Sequence, residues 1–347
     1  MTVIISKPSI NIREKIAELE KPSGIAGESV LRADSVQDVR DQLRVGRKNL
    51  LINGSFDVWQ RGTSITDTTN GPYNYITADH WVTYYTGTYA QTDVALPNGV
   101  NAKGLKFTTA SSAPNFNCPI EDGGKILKGR TITFSWWMRA SKAFSNIKSR
   151  VNNVGNGTYG ASQYDVGIVT YQSNDVTTEW THHTYTVTLP DALTYDHINA
   201  EIWGFNDDWS NGDWFEFTQV QLELGSVATD FEQRSYAEEL ALCQRYFLRI
   251  KTAGLVYNTY STTQGYFQIP LPVAMRGHPS ASWDTVDRVA LASSSNINTN
   301  ITYWASYSAY PSSFYSFQAR SSVSLTAGSS YVVFPTNTPY LSLSEQI

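Results

Sequence analysis

From residue 48 to 231 the apolar positions recur every second residue. Ile132, Phe134, Trp136 and Met138 share one parity, while Thr131, Thr133, Ser135, Trp137 and Arg139 share the other, which predicts a strand with one face in a core. The alternation recurs over Thr184–Leu189, with Tyr185, Val187 and Leu189 inward. Between Trp214 and Leu224 the apolar parity slips from Phe215 and Phe217 to Val220, Leu222 and Leu224, and a bulge near Thr218 and Gln219 would restore one inner face. Strands with Thr-rich outer faces and no alternation with helices predict an antiparallel β-sandwich.

Two other patterns flank this one. At Ser235 and Glu238 a capping box opens a helix with Tyr236, Leu240, Cys243 and Phe247 at helical spacing, predicted to clamp two β-domains together. Short strands such as 265–271 and 331–334 then predict a second, smaller sandwich. Before residue 48, Asn11 with Glu14 and Ser35 with Asp38 open two short helices carrying Ile12, Ile16 and Leu19, then Val36, Val39 and Leu43. Helices this short are marginal alone, so these six positions are expected to dock on a partner surface; a frayed leader is the other reading. The predicted organisation is a helical arm over 1–47, a sandwich over 48–233, a helix over 234–249 and a β-domain over 250–347, mainly β overall.

Composition sharpens that division. The 347 residues are 16% charged and 13% aromatic, but residues 1–50 hold 16 charges and no Phe, Trp or Tyr. A net charge of -5 gives no basic footprint for nucleic acid. No apolar run is long enough to span a bilayer, and the amino terminus lacks a signal-peptide pattern, so synthesis in a cytosol without membrane insertion is expected. Cys118 and Cys243 show neither a disulfide framework nor zinc spacing and are expected to act as small apolar residues.

Asn49-Leu50-Leu51-Ile52-Asn53-Gly54-Ser55-Phe56-Asp57-Val58-Trp59-Gln60-Arg61-Gly62 resembles the opening strand of jelly-roll modules in tail fibres and other virion proteins of tailed bacteriophages. Ala78-Asp79-His80-Trp81 resembles their second strand, and the stretches 222–235 and 238–247 resemble their exit and continuation. That resemblance implies a virion component: a tail fibre or tail-associated adhesin, expected as a homotrimer held to other virion proteins by residues 1–47 and contacting the host surface. A capsid-attached fibre or decoration protein is the alternative. The same domain is also similar to carbohydrate-binding jelly rolls of glycanases, which implies a third reading as a carbohydrate-binding module. In that family both termini share a structural calcium; Asp57 stands at the first acidic position, but Thr218 and Gln219 stand at the second, so no cofactor is expected.

A large ring on a Thr- and Ser-lined outer face needs a reason. Trp137 fits that description, as does Trp203, whose parity opposes Ile198, Ala200 and Ile202. Together they are expected to form a platform for a host-surface sugar, with Asp207, Asp208 and Trp209 beside them. The competing reading buries both rings under a neighbouring subunit or loop. His182 and His183 are strand neighbours and point to opposite faces, so they cannot chelate one metal. With no G-x-S-x-G, Walker loop or H-E-x-x-H, no enzymatic activity is expected.

Overall fold

In a computed structural model of the chain, residues 48–68, 75, 77–83, 86–110, 115–154, 172–193, 196–204, 209–251, 255–277, 279–283, 289–292, 296–299, 301–307, 314–321, 324–325, 327, 330–335 and 340–344 are described. The expected arm, with Ile12, Ile16, Leu19, Val36, Val39 and Leu43, lies outside them.

Period-two segments pair into two antiparallel sheets. One has the order β1 (Ser64–Asp67), β3 (Gly87–Ala95), β4 (Asn101–Thr109), β11 (Trp214–Leu224), β6 (Thr131–Ala140) and β9 (Thr181–Thr188). The other runs β2 (Val82–Thr83), β5 (Asn115–Ile120), β10 (His197–Gly204), β7 (Phe144–Val154) and β8 (Gln172–Val176). A short helix α1 (Gly123–Ile126) follows β5. The predicted inward set Ile132, Phe134, Trp136 and Met138 is fully buried, as are Ile198, Ala200 and Ile202 from the facing sheet. Phe56, Trp81, Phe116 and Phe217 meet at centroid distances of 4.5 to 6.3 Å, the tilted and edge-on arrangements that aromatic quadrupoles favour.

The expected bulge is present. Strand β11 changes register against β6 between Thr218 and Gln221, and Gln219 takes a left-handed φ of 49°. Phe215, Phe217, Val220 and Leu222 therefore all point inward and are fully buried.

The opening and closing segments of the sandwich are tied to each other and to the helix α2 (Tyr236–Gln244). The side-chain oxygen of Asn49 accepts from the amides of Leu51 and Leu222 at 3.0 and 3.1 Å, and its Nδ2 donates to the Val220 carbonyl at 3.0 Å. Gly54 lies against the same carbonyl, where a Cβ would come within 2.1 Å of the oxygen. Asn53 uses its Nδ2 on the carbonyls of Val58 and Asp79 and its backbone amide on Glu239 Oε1. Arg234 completes the latch by donating to the carbonyls of Leu51 and Asn49 and pairing with Glu239 at 3.2 Å. Burial raises the Glu239 pKa against the opposing pull of Asn53 and Arg234. The residues that carry the sequence resemblance are therefore largely the ones that close the module.

Here the predicted helix needs correction. It ends at Gln244, and after two intervening residues a strand β12 (Phe247–Lys251) begins. Its buried residues are Glu239 and Cys243, while Tyr236, expected in the apolar stripe, is 57% exposed. A carboxylate held by Arg234 and the Asn53 amide occupies the inward position, because the latch needs an acceptor there. The Ser235 cap is as expected, accepting from the Glu238 amide.

Beyond α2, β12 joins a sheet with β21 (Tyr340–Ser344) and β15 (Ser280–Trp283). A further sheet has the order β17 (Asn296–Thr299), β16 (Val289–Ala292), β20 (Ser330–Pro335), β13 (Val256–Thr259), β14 (Gln264–Pro270), β19 (Phe314–Ser321) and β18 (Ile301–Tyr307). Polar bonds join this part to the jelly roll. Glu121 accepts from Arg245, Tyr246 and Arg276 at 3.0, 2.7 and 3.1 Å, and Gln60 donates to the Phe247 carbonyl at 2.8 Å. Arg61 lies 3.3 Å over the Phe247 ring and 3.5 Å from Asp79. Burial of that pair raises the Asp79 pKa to about 6 and lowers the Arg61 pKa to about 10. Cys118 and Cys243 are both free and buried.

Candidate functional site

Outward residues of β6 face a cleft of about 1010 Å³ on the six-stranded sheet. Ser135 and Trp137 of β6, His182 of β9 and Gln219 from the bulge form its floor. Trp137 is half-buried, with the His182 ring tilted against it at 5.1 Å. Loss of hydration lowers the His182 pKa. His183, on the opposite face as expected, stacks on Trp136 at 5.6 Å.

The walls come from three segments. Residues 98–103 contribute Asn98, Asn101 and Lys103, the opening segment contributes Ser55 and Asp57, and the closing segment contributes residues 228–231 and Gln233. Buried outward residues of β11 pin the closing wall. Glu223 accepts from the amide and the hydroxyl of Thr229 at 2.8 and 2.5 Å, and Gln221 Oε1 accepts from the Glu232 amide at 2.9 Å. The cleft thus has the indole of Trp137 in its floor and a mixed wall, in which Phe231 and Val100 stand among short polar side chains. Three carboxylates, Asp57, Asp93 and Asp230, line it with Lys103, which pairs with Asp93 at 2.6 Å.

At the position where the resemblance suggests a calcium ligand, Asp57 accepts from Ser55 Oγ at 2.6 Å and Gln233 Nε2 at 3.4 Å. Thr218 donates its hydroxyl to the Lys103 carbonyl. Among the described residues, no three His, Cys, Asp or Glu side chains are grouped to hold a metal ion. No described helix is long and apolar enough to cross a membrane.

The expected shared platform of Trp137 and Trp203 does not form. Trp203 lies on β10 of the other sheet, with the Arg150 guanidinium 4.4 Å over its ring. Its outward neighbours make a buried network. Glu201, 1% exposed, accepts from Asn115 at 3.0 Å, Arg150 at 2.5 Å and Asn152 at 2.7 Å. Asn199 donates to Asn117 at 2.6 Å, and Asn117 donates in turn to Asn115. Trp209 is not a platform either: its ring stacks on Phe144 at 4.2 Å and abuts Phe215 at 4.4 Å, at the edge of the core. Asp207 and Asp208 lie outside the described residues.

Of the expected site residues among the described ones, Trp137 alone lines the cleft. His182 has the outward parity of its own strand, which the sequence shows, but the pairing of that strand with β6 leaves no local pattern. The wall at 228–233 leaves none either, because what places it is a set of long-range bonds to Gln221 and Glu223.

No family model matches the sequence, and no curated protein matches it. Among solved structures, one described as "CBM4 structure and function" is similar over 50% of this chain and 99% of its own, at 17% identity and a TM-score of 0.32. The enzymatically active domain of tailspike protein 4 of bacteriophage CBA120 is similar over 51% of this chain and 21% of its own, at 11% identity and a TM-score of 0.34. A putative sugar binding protein from Bacteroides thetaiotaomicron VPI-5482 is similar over 51% of this chain and all of its own, at 13% identity and a TM-score of 0.34.

Proposed function

We propose that the jelly roll is a glycan-binding module that holds its ligand in the Trp137 cleft without chemical turnover. A half-buried indole in the floor of a polar cleft is the observation that carries this reading. A pyranose ring presents an apolar face of C–H groups and a rim of hydroxyls, and it fits a site with one aromatic surface and several short donors and acceptors. Asn98, Asn101 and Gln233 in the walls and Gln219 in the floor offer both hydrogen-bond roles. With three carboxylates and one ammonium around it, the cleft favours a neutral or amino-bearing sugar over a polyanionic one.

A glycan array probed with the full chain tests this. Native protein and Trp203→Ala are expected to give the same signal, and Trp137→Ala to lose it with unchanged circular dichroism. Binding retained by Trp137→Ala contradicts the reading.

We propose further that the module is carried on a tailed-phage virion, as a tail fibre or adhesin or as a capsid decoration. The support is the resemblance of residues 49–62, 78–81 and 222–247 to such modules. Mass spectrometry of purified particles from a host that carries the gene should find the chain, and its absence from particles contradicts this second proposal.

A further inference from the structure

The bulge in β11 carries a side chain where its backbone favours none. Gln219 has a φ of 49°, in the left-handed region where glycine fits without steric cost and a longer residue does not. A glycine there would make the same register shift and turn Val220 and Leu222 inward equally well. The side chain that the position keeps is 8% exposed and lines the cleft floor. Ser135, 2% exposed, lines the floor beside it. Thr218 is opposite Trp137 and Gln221 opposite Ser135, so Gln219 falls between two rows about 7 Å apart along β6. Among the described residues, neither the Gln219 amide nor the Ser135 hydroxyl has a hydrogen-bond partner. The flanking side chains do: Thr218 donates to the Lys103 carbonyl, and Gln221 Nε2 donates to Glu223 Oε1 at 2.9 Å. Two unpaired polar groups in the floor of a cleft, flanked by groups bonded internally, point to a partner that enters from outside.

We propose that Gln219 and Ser135 select the ligand by bonding two adjacent free hydroxyls of the sugar ring that lies on Trp137, so that the glycan has an unsubstituted vicinal diol at that ring. This rests on the glycan reading of the cleft and names the group that is recognised. A side-chain amide and a hydroxyl each donate and accept, which matches two sugar hydroxyls in either orientation. Once the ring covers the floor, an amide or hydroxyl left without a partner is penalised by its lost hydration. A ring that lacks one of the two hydroxyls, or carries a methyl group on it, is therefore rejected. The left-handed backbone at Gln219 follows from the same need, since glycine would relax the bulge and leave the floor without its amide.

Ligand-observed NMR titrations of the full chain test this, with methyl pyranosides of glucose, galactose, mannose and N-acetylglucosamine and with the monodeoxy and mono-O-methyl derivatives of each. Affinity for the strongest-binding parent glycoside is expected to fall about tenfold when either of two adjacent hydroxyls is removed or methylated. Gln219→Gly should bind that parent and its deoxy derivative alike, about tenfold below the native affinity for the parent, with a urea midpoint no lower than the native one. Gln219→Asn, which tolerates the left-handed backbone and keeps an amide, should recover part of the preference, and Ser135→Ala should erase the preference at the second hydroxyl. The native preference surviving in both Gln219→Gly and Ser135→Ala, or native protein indifferent to every deoxy derivative, overturns this inference and leaves the cleft reading standing if Trp137→Ala has lost binding. Native protein that binds none of these glycosides and no glycan of the array overturns both.

Discussion

On the five-stranded sheet the outward residues Asn117, Asn199 and Glu201 are buried and bonded into one network beside a half-exposed Trp203 under Arg150, whereas on the six-stranded sheet the half-exposed Trp137 lines an open cleft. Both faces show the same signature along the chain, polar positions with an isolated tryptophan at period two. Hydrogen-bond accounting separates them. The Glu201 carboxylate has three side-chain donors, so that face is occupied with its own stability. The buried outward groups of the other sheet, Gln221 and Glu223, instead hold up a cleft wall.

The largest expected effect lies on the closed face. Glu201→Leu removes the buried acceptor that Arg150 and two asparagines share, and should cost about 3–5 kcal/mol in urea unfolding, the range for breaking a buried ion pair from one side. Folded protein that survives should still bind glycan. A loss well under 1 kcal/mol would remove the distinction between the faces.

Gly54→Ala comes next. Its Cβ would meet the Val220 carbonyl oxygen, a backbone atom that can move only with the bulged strand, and about 1–3 kcal/mol is expected from such overpacking. Because the same strand places Gln219 in the cleft floor, glycan affinity should fall with stability. Unchanged affinity would show that the latch and the cleft are independent.

Acid sensitivity sharpens the contrast from another side. Burial lowers the pKa of His80 and of His183 to about 4, and the stability each contributes is present above its unfolded value near 6.5 and lost as pH falls through 4. Asp79, raised to about 6, acts oppositely: its contribution is present below 3.8 and lost as pH rises through 6, and Glu239 shifts in the same direction as Asp79. His182 and His197, both lowered, add to the histidine side. Stability should therefore rise with pH between 4 and 6.5. Asp79→Asn should steepen that rise by up to about 1.4 kcal/mol per pH unit, one proton's worth, in urea titrations at a series of pH values. A flat or inverted dependence would contradict these burial assignments.

The smallest effect on stability is expected from Thr229→Val, about 1 kcal/mol for the lost hydroxyl bond to Glu223, with a measurable fall in glycan affinity as the wall loosens. Equal affinity would detach the wall from the site.

The inner face was legible along the chain. Ile132 to Met138 and the slip at Thr218 and Gln219 follow from pleat geometry, which acts locally and leaves a period. So does the split of His182 from His183. What period two cannot report is which sheet a strand joins: Trp203 and Trp137 share a pattern, yet strand order places them on opposite sides of the sandwich. Nor could it report the inward position of Glu239 on α2, because its partners, Arg234 and the Asn53 amide, come from a neighbouring turn and from 186 residues away. The motif that carried the family resemblance is read best as closure of the module, since Asn49, Asn53, Gly54 and Arg234 each satisfy or approach backbone groups of another segment.

The central claim, that the face bearing Trp137 meets ligand and the face bearing Trp203 does not, is tested most directly by oxidising the tryptophans of the full chain with N-bromosuccinimide. Modification of each peptide is read by mass spectrometry with and without the strongest-binding oligosaccharide of the array. Oligosaccharide should protect Trp137 several-fold and leave Trp203 unchanged; protection of Trp203 with Trp137 still reactive would contradict the account.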